Sequence, residues 1–274
     1  MVNLKAALSA GDVLFGPFSV SGSAAMVESI GYAGFDFVII DTQHAPTSPF
    51  GSELEALIRA AWSADIAPIV RTTWNDRGQI LKAVDMGASA VIVPQVNTAE
   101  EAAEAVSAAH FPPAGRRSGA PPVLGAKRGF IDWPTYYRRG ISDVLVIALI
   151  EEYAGVENIE EIAAVEGLGG VFFGPFDLAV SMGLGESTLE PDLSGERERV
   201  YTAAKKHGLP IADISWPSEE LPSDVPSALE KVKLGAQLIA LGADVTMFVN
   251  ACKSLARDVQ GMKSDLKKAE VARD

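Results

Sequence analysis

The chain has 274 residues, of which 48% are apolar and 22% charged, and its formal net charge is -13. Nucleic acids and anionic membranes are bound by basic faces, so this charge balance excludes both as expected partners. No apolar run approaches the length of a membrane span, and the first residues lack the pattern of a secretory signal. We therefore expect a cytoplasmic protein whose partners are small molecules and further copies of itself.

Eight apolar runs of strand length recur along the chain, and stretches with helical spacing of apolar residues separate them. The runs cover residues 13–20, 35–41, 67–72, 90–96, 144–151, 170–177, 209–215 and 237–244. Strand followed by helix, repeated eight times, predicts a single-domain α/β (β/α)8 TIM barrel over residues 1–274. A doubly wound open sheet is the competing architecture, but it usually has fewer such units.

Two segments depart from this rhythm. Residues 110–140 are too long and too rich in Pro, Gly and Arg for an ordinary connection, which is typical of a functional or interface loop. Residues 260–274 have the composition of a charged helical tail. The single cysteine, Cys252, excludes an internal disulfide framework and a Cys-rich zinc site, and we expect it to face the core from a late helix.

Polar side chains follow several of the predicted strands. In a barrel of this kind catalytic groups project from the C-terminal ends of the strands, so these residues are candidates for the active site. They are Asp41, Gln43 and His44 after the second run, Arg71 in the third, Glu151 and Glu152 after the fifth, and Asp177 after the sixth. A carboxylate in such a place is often only a helix cap, which is the reading we favour for Asp76 and keep open for Asp177.

The histidines and lysines narrow the chemistry. His110 precedes a Pro-Pro turn and His207 ends a helix, so both are interpreted as structural and His44 alone occupies a catalytic position. A His-rich zinc centre is thereby disfavoured, and carboxylate oxygens favour Mg2+ or Mn2+, with Co2+ or Ni2+ as substitutes. Lys82 lies on a helix and Lys127 in the long loop, which disfavours Schiff-base chemistry.

Several motifs together carry a family resemblance. They are GYAGFDFVIIDTQHAP, PIVRTTWND, KAVDMGASAVIVPQVNTAEEA, FPPAGRRSG, the glutamate of LIEE, and VEGLGGVFFGPFDLAVSMG. In their order and spacing, from about residue 13 to about residue 255, the chain resembles the 4-hydroxy-2-oxoheptanedioate aldolase family. That family consists of metal-dependent class II pyruvate aldolases and includes 2-dehydro-3-deoxyglucarate aldolase.

The resemblance implies a role for each matching residue. It makes Glu151 and Asp177 the metal ligands, His44 the base, and Arg71 the cation beside the 2-oxo oxygen. It places the substrate carboxylate near the backbone amides of Phe176 and Asp177. Further residues that it assigns to the site are Gly174 and Gln43 in substrate binding and Asp41 behind the catalytic groups.

The resemblance also implies an oligomer. The partner that the family gives its catalytic histidine matches Asp85, which lies after the third strand at the bottom of its own predicted barrel. Asp85 would therefore reach His44 of a neighbouring subunit. The family forms hexamers, often with an exchanged C-terminal helix, so we expect a homohexamer.

The implied reaction is reversible aldol cleavage of a 4-hydroxy-2-oxo acid into pyruvate or hydroxypyruvate and an aldehyde, with oxaloacetate decarboxylation as a side activity. Three positions depart from the family, because Gln43, Leu149 and Phe18 stand where glutamate, glutamine and tryptophan are common. Two alternatives stay open. One is an acyl-CoA lyase of the citrate lyase β type, with a basic groove formed by Arg116, Arg117, Lys127 and Arg128; the other is a non-catalytic barrel that binds a 2-oxo acid.

Overall fold

The computed structural model describes residues 2–185, 192–216 and 225–271. Eight parallel strands form a closed barrel in the order β1 to β8, each hydrogen-bonded to the next and β8 to β1. The strands are β1 (Leu14–Ser19), β2 (Phe37–Asp41), β3 (Ala67–Arg71), β4 (Ala90–Val93), β5 (Leu145–Ile150), β6 (Gly170–Phe173), β7 (Ile211–Ser215) and β8 (Leu238–Ala243). The prediction of a (β/α)8 barrel in a single domain is confirmed.

Twelve α-helices occur in the described residues. They are α1 (Leu4–Ala10), α2 (Ala24–Tyr32), α3 (Ser52–Ser63), α4 (Arg77–Asp85), α5 (Ala99–Ala109), α6 (Trp133–Ser142), α7 (Tyr153–Glu157), α8 (Ile159–Ala163), α9 (Pro175–Ser181), α10 (Ser194–Lys206), α11 (Val225–Leu234) and α12 (Asp244–Val271). As predicted, Asp76 is a helix cap, and its side chain accepts a hydrogen bond from the amide of Gln79 at 2.8 Å.

Strand residues alternate between two apolar layers. Along β5, Leu145, Ile147 and Leu149 fill the barrel interior, while the residues between them pack against the surrounding helices. Because both faces of each strand are buried, the strands read in the sequence as continuous apolar runs. The same alternation directs the side chain after β5, Glu151, to the interior side, directly above Leu149.

The N-terminal end of the barrel is closed by α1, which the sequence analysis did not predict. Leu4 and Leu8 are 2% and 5% exposed and belong to the interior apolar layer. The helix begins at the side-chain cap of Asn3 and ends at Gly11, whose φ of 87° is favourable only for glycine. Leu4 and Leu8 are the only large apolar side chains in its seven residues, with Ala7 packed beside them, so its periodicity is weak.

The segment 110–140 is partly ordered by its own small core. Phe111 is stacked on Tyr137 at 5.1 Å between ring centroids and meets Tyr136 edge-on, and α6 supplies both tyrosines. Arg117 is buried within this cluster, where its guanidinium donates to Asp85 at 2.7 Å. The expected loop is therefore a packed extension of the barrel wall.

The last helix, α12, extends over 28 residues with a row of exposed apolar side chains. The row consists of Val245, Phe248, Val249, Leu255, Met262 and Leu266. Cys252 on the same helix is exposed, so the prediction of a core-facing thiol is wrong. The apolar pattern of α12 suggested burial, but within one chain that face meets solvent. No helix in the described ranges is long and apolar enough to cross a membrane.

Two histidines have the structural environments that the sequence predicted. His110 is buried, and its two ring nitrogens face the backbone oxygens of Val106 and Val144 at 3.0 and 3.1 Å. His207 caps the C-terminal end of α10 and lies 3.4 Å from Glu160.

Candidate active site

A cavity of about 280 Å3 opens at the C-terminal mouth of the barrel. Its lining consists of Phe18, Val20, Asp41, His44, Arg71, Leu149, Glu151, Phe172, Gly174, Pro175, Phe176, Asp177, Ile214 and Trp216. Seven residues that the sequence assigned to the site are therefore brought together from β2, β3, β5 and the start of α9. Their convergence at the mouth is the arrangement expected for a barrel enzyme.

Two carboxylates meet on one side of this cavity. Glu151 is 2% exposed, and its Oε1 accepts a hydrogen bond from the amide of Gln95 at 3.0 Å. Asp177 lies in the first turn of α9, whose cap is Gly174, so Asp177 neither ends a strand nor caps the helix. Burial, and then the neighbouring carboxylate of Asp177 in hydrogen-bond contact, raise the pKa of Glu151 to about 7, although Arg71 acts in the opposite direction.

Gly174 allows this close approach. A Cβ atom at position 174 would lie 2.9 Å from the Cβ of Glu151 and 3.0 Å from Cδ1 of Leu149, closer than side-chain carbons pack. Any residue can adopt its φ of -100°, so glycine is required here by the lack of space for a Cβ atom and not by the backbone conformation. The glycine thus contributes to the site by bringing the start of α9 against the end of β5.

Arg71 is fixed by Asp41. The two residues are paired in register at the ends of β2 and β3, and the guanidinium donates to both carboxylate oxygens at 2.9 and 2.8 Å. Asp41 is fully buried, and Arg71 also lies over the ring of Phe18, 4.9 Å from its centroid. A buried bidentate pair of this kind holds a guanidinium in one orientation.

The turn that carries His44 depends on the same aspartate. Asp41 accepts hydrogen bonds from the amides of Gln43 and His44 at 2.9 and 3.3 Å. The His44 side chain is exposed at the edge of the cavity. Asp41 therefore acts on the site by positioning Arg71 and this turn.

The structure does not bring two of the predicted site residues to the cavity. Gln43 is absent from the described lining, and its Oε1 is buried with no hydrogen-bond partner among the described residues. Asp85 lies at the end of α4, at the opposite end of the barrel, where it is paired with Arg117. Burial raises the pKa of Asp85, and Arg117 opposes the rise. Within one chain Asp85 does not meet His44.

Gln95 and Trp216 are among the contributors that the sequence reasoning missed. The backbone N–H of Gln95 donates a hydrogen bond to Glu151. Gln95 has a φ of 54°, a conformation that non-glycine residues rarely adopt, and no local sequence pattern predicts it. Trp216 lies on the mouth directly after β7, and an aromatic residue at a strand end could have been noticed. Glu152, by contrast, turns away and accepts a hydrogen bond from Asn97 at 2.5 Å.

Glu151 and Asp177 are the residues that could hold a metal ion. No cluster of three or more His, Cys, Asp and Glu residues suited to a metal occurs in residues 2–185, 192–216 and 225–271. Two adjacent carboxylates in a buried site repel one another unless a proton or a cation is shared between them. Their oxygens suit a hard divalent cation whose remaining positions are filled by substrate or water.

A closed parallel barrel with a carboxylate pair, an arginine and a histidine at its C-terminal mouth defines a barrel enzyme. Residues 14–251 match the family model described as HpcH/HpaI aldolase/citrate lyase. A 5-keto-4-deoxy-D-glucarate aldolase of Klebsiella pneumoniae is 33% identical over 252 residues, which are 92% of this chain and 94% of the relative.

Solved structures agree with this match. A family protein from Burkholderia cenocepacia J2315 has a TM-score of 0.85 at 29% identity, covering 95% of this chain and 100% of that one. An HpcH/HpaI aldolase from Desulfitobacterium hafniense DCB-2 has a TM-score of 0.82 at 29% identity, covering 95% and 96%. The chain belongs to the HpcH/HpaI aldolase/citrate lyase family, as a class II aldolase and carbon–carbon lyase.

Proposed function

We propose that this protein is a divalent-metal-dependent aldolase that cleaves or forms 4-hydroxy-2-oxo acids from pyruvate or hydroxypyruvate and an aldehyde. The observation that carries the proposal is the placement of the buried Glu151 together with Asp177 and Arg71 in the lining of one cavity. Such a pair of carboxylates is a costly arrangement for a fold and is suited to hold a cation.

The donor set supports Mg2+ or Mn2+, with Co2+ or Ni2+ as substitutes. When bound, such an ion polarises a carbonyl oxygen and stabilises the negative charge that develops there. The other groups belong to the chain itself. Arg71, oriented by Asp41, directs its guanidinium towards the same oxygen and adds a second positive charge.

His44 is the base in this proposal. It sits at the exposed edge of the cavity, where its ring can take the proton from the 4-hydroxyl group during cleavage and return it during addition. The amides of Phe176 and Asp177 are assigned to the substrate carboxylate, and Gly174 opens the approach to them.

We further propose that the active unit is a homo-oligomer, with a hexamer expected from the family resemblance. Asp85 is 17% exposed in its side chain, which leaves it accessible to His44 of a neighbouring subunit. The exposed apolar row on α12 is suited to exchange between subunits. The acidic charge and lone cysteine are consistent with a cytoplasmic location.

The range of substrates follows from the chemistry. The Klebsiella relative's name indicates cleavage of a 5-keto-4-deoxy sugar acid, and we infer the same bond type for this chain. Because loss of carbon dioxide from oxaloacetate also produces the enolate of pyruvate, decarboxylation is a natural side activity.

The acyl-CoA alternative is not favoured by the basic residues that suggested it. Arg117 is paired with Asp85 and Arg128 with Glu55, and the Nε of Arg116 donates to Ser107. None of these arginines lines the cavity at the mouth. These arginines therefore form no groove for the phosphates of coenzyme A at the mouth, and Arg117 and Lys127 line a different cavity.

Exchange of the methyl protons of pyruvate for deuterium tests the proposal. We expect exchange in the presence of Mg2+ or Mn2+, none after treatment with a chelator, and recovery when the ion is restored. Exchange that persists at full rate in metal-free protein would contradict the proposal. Comparison of malyl-CoA cleavage with aldol cleavage tests the acyl-CoA alternative.

A further inference from the structure

The cavity at the mouth has two walls of different chemistry. We call the charged groups of this lining the charged wall, and we call Phe18, Val20, Leu149, Phe172, Ile214 and Trp216 the apolar wall; the two meet where Arg71 lies over the ring of Phe18. We propose, resting on the proposed function, that this barrel prefers an uncharged, apolar aldehyde as the acceptor and that the apolar wall selects it. The acceptor class is thus distinct from the carboxylated aldehydes that a sugar diacid would release.

The position of the new carbon–carbon bond places the acceptor over this wall. In the proposed function the carboxylate and 2-oxo oxygens of pyruvate bind at the charged wall, beside Arg71 and the cation that Glu151 and Asp177 would hold, so carbon 3 points away from it. In the addition, a C3–H bond of pyruvate breaks and its proton is released. The resulting enolate electron pair forms the bond from carbon 3 to the aldehyde carbon. The C=O π pair moves to the aldehyde oxygen, which takes up one proton to become the 4-hydroxyl group. Everything attached to the aldehyde carbon then lies beyond the charged wall.

The apolar wall is built into the barrel. Leu149 and Phe172 are paired in register on β5 and β6 and are 3% and 2% exposed. Phe18 on β1 lies 6.3 Å from Phe172 between ring centroids and is 4% exposed. Side chains in a closed interior have little room to rearrange, so this surface is preformed.

Trp216 extends the wall to the rim. It is 37% exposed and follows Ile214 at the end of β7. A flat aromatic ring that is partly free of contacts in the chain can be covered by an alkyl group, which removes apolar surface from water.

An acceptor aldehyde that carries its own carboxylate would find no available cationic side chain among the described residues that line the cavity. Arg71 is the cationic side chain among the described lining residues and is assigned to the 2-oxo oxygen, while His44 is assigned as the base at the hydroxyl group. Arg71 already donates to both oxygens of Asp41. A carboxylated acceptor would thus lose its hydration with no ion pair to offset the cost.

An adjacent cavity of about 210 Å3 contains Arg197 and Lys231 but does not supply that cation. Arg197 donates to the buried Asp213 at 3.1 Å, and Lys231 donates to the backbone oxygen of Ile214 at 2.6 Å. Asp192 and Glu230 line the same cavity and would repel an anion. The two positive side chains are therefore engaged in the wall itself.

The test is an acceptor series with pyruvate as donor and saturating Mn2+. We expect kcat/KM to rise from propanal to hexanal by roughly threefold per methylene group until the wall is covered. Hexanal should exceed succinic semialdehyde by about tenfold or more. Equal or better use of succinic semialdehyde, or no rise with chain length, would overturn the inference.

Two variants distinguish loss of the apolar wall from a general loss of activity. Trp216→Ala should lower kcat/KM for hexanal by about fivefold while changing that for propanal by less than about twofold. Tyr32→Ala removes an aromatic ring that is 72% exposed on α2, outside the cavity, and should leave both values unchanged. Equal losses with hexanal and propanal in Trp216→Ala would contradict selection by this wall.

A different measurement, deuterium exchange into pyruvate, tests the proposed function separately from the acceptor inference. Deuterium exchange into pyruvate needs no aldehyde, so its absence in the metal-loaded protein would refute the aldolase proposal before any acceptor is tested. Exchange at a normal rate combined with a preference for carboxylated aldehydes would overturn the acceptor inference alone.

Discussion

The two ends of the barrel both contain cavities, and the larger one is at the end without the converging charges. At the N-terminal end a cavity of about 640 Å3 lies beside α1, and its one histidine, His110, has both ring nitrogens facing backbone oxygens. At the C-terminal end a cavity of about 280 Å3 holds Glu151 against Asp177. The comparison teaches that the convergence of charged groups, rather than volume, distinguishes the end to which the proposed function is assigned.

The largest expected effect on this difference between the two ends comes from removing one carboxylate at the mouth. Glu151→Gln or Asp177→Asn should abolish metal-dependent pyruvate exchange, with a loss of about a thousandfold or more, because one ligand of a two-carboxylate site is gone. Mn2+ binding followed by electron paramagnetic resonance should weaken in parallel.

Glu152→Gln is the matched control, because Glu152 adjoins Glu151 in sequence but is bonded to Asn97 away from the cavity. We expect near-normal exchange and Mn2+ binding in this variant. An equal loss in Glu152→Gln would show that the effect comes from general charge and not from the pair.

Removal of the histidine at the mouth should slow proton transfer and leave the metal in place. His44→Ala is expected to lower aldol turnover by about a hundredfold or more, the usual contribution of a general base. Mn2+ affinity should change little. His207→Ala, which alters a helix cap remote from the mouth, serves as the control and should retain turnover.

Loss of Asp41, which orients Arg71, should have a smaller effect, measured as the free energy of unfolding. Asp41→Asn removes one partner of a buried ion pair and should lower the free energy of unfolding by about 3 kcal/mol. Turnover should fall as well, because Arg71 and the turn at His44 lose their orientation. Unchanged stability by urea denaturation would contradict the assigned role.

The last effect concerns the dependence of stability on pH, and it reaches the size of the Asp41→Asn effect only at the upper end of the pH range. The pKa of Glu151 in the folded protein is about 7, above the value of 4.5 usual for glutamate, so the folded state holds this proton more tightly than the unfolded state. The contribution of Glu151 is therefore most favourable below pH 4.5 and declines as pH rises to 7, by at most about 3 kcal/mol.

Urea denaturation of metal-free protein across this pH range measures the decline. The difference between wild type and Glu151→Gln isolates it, because other titrating groups are common to both. Mn2+ added at pH 7 should restore stability to the wild type only. A pH-independent difference between the two proteins would contradict the raised pKa.

Much of the barrel could be predicted because its strands are buried on both faces and leave continuous apolar runs. Local patterns could not predict α1, in which Leu4 and Leu8 are the only large apolar side chains. Nor could they predict the exposure of Cys252 on a helix whose apolar face has no partner within the described chain. Both depend on which tertiary or quaternary surfaces meet.

The charged wall of the site was predictable because its residues follow strand ends. Most of the apolar wall was not. Leu149 and Phe18 were noted only as departures from the family, and Phe172 resembles an ordinary core residue until the register of β5 and β6 pairs it with Leu149. The hydrogen bond from the backbone N–H of Gln95 to Glu151 depends on a φ of 54° at Gln95, which the residue type does not predict.

The most direct test of the account is a crystal structure of the protein soaked with Mn2+, with anomalous scattering used to locate the ion. The account predicts a peak between the carboxylates of Glu151 and Asp177, at the mouth of the barrel. A peak located elsewhere, with these two carboxylates sharing only a proton, would contradict it.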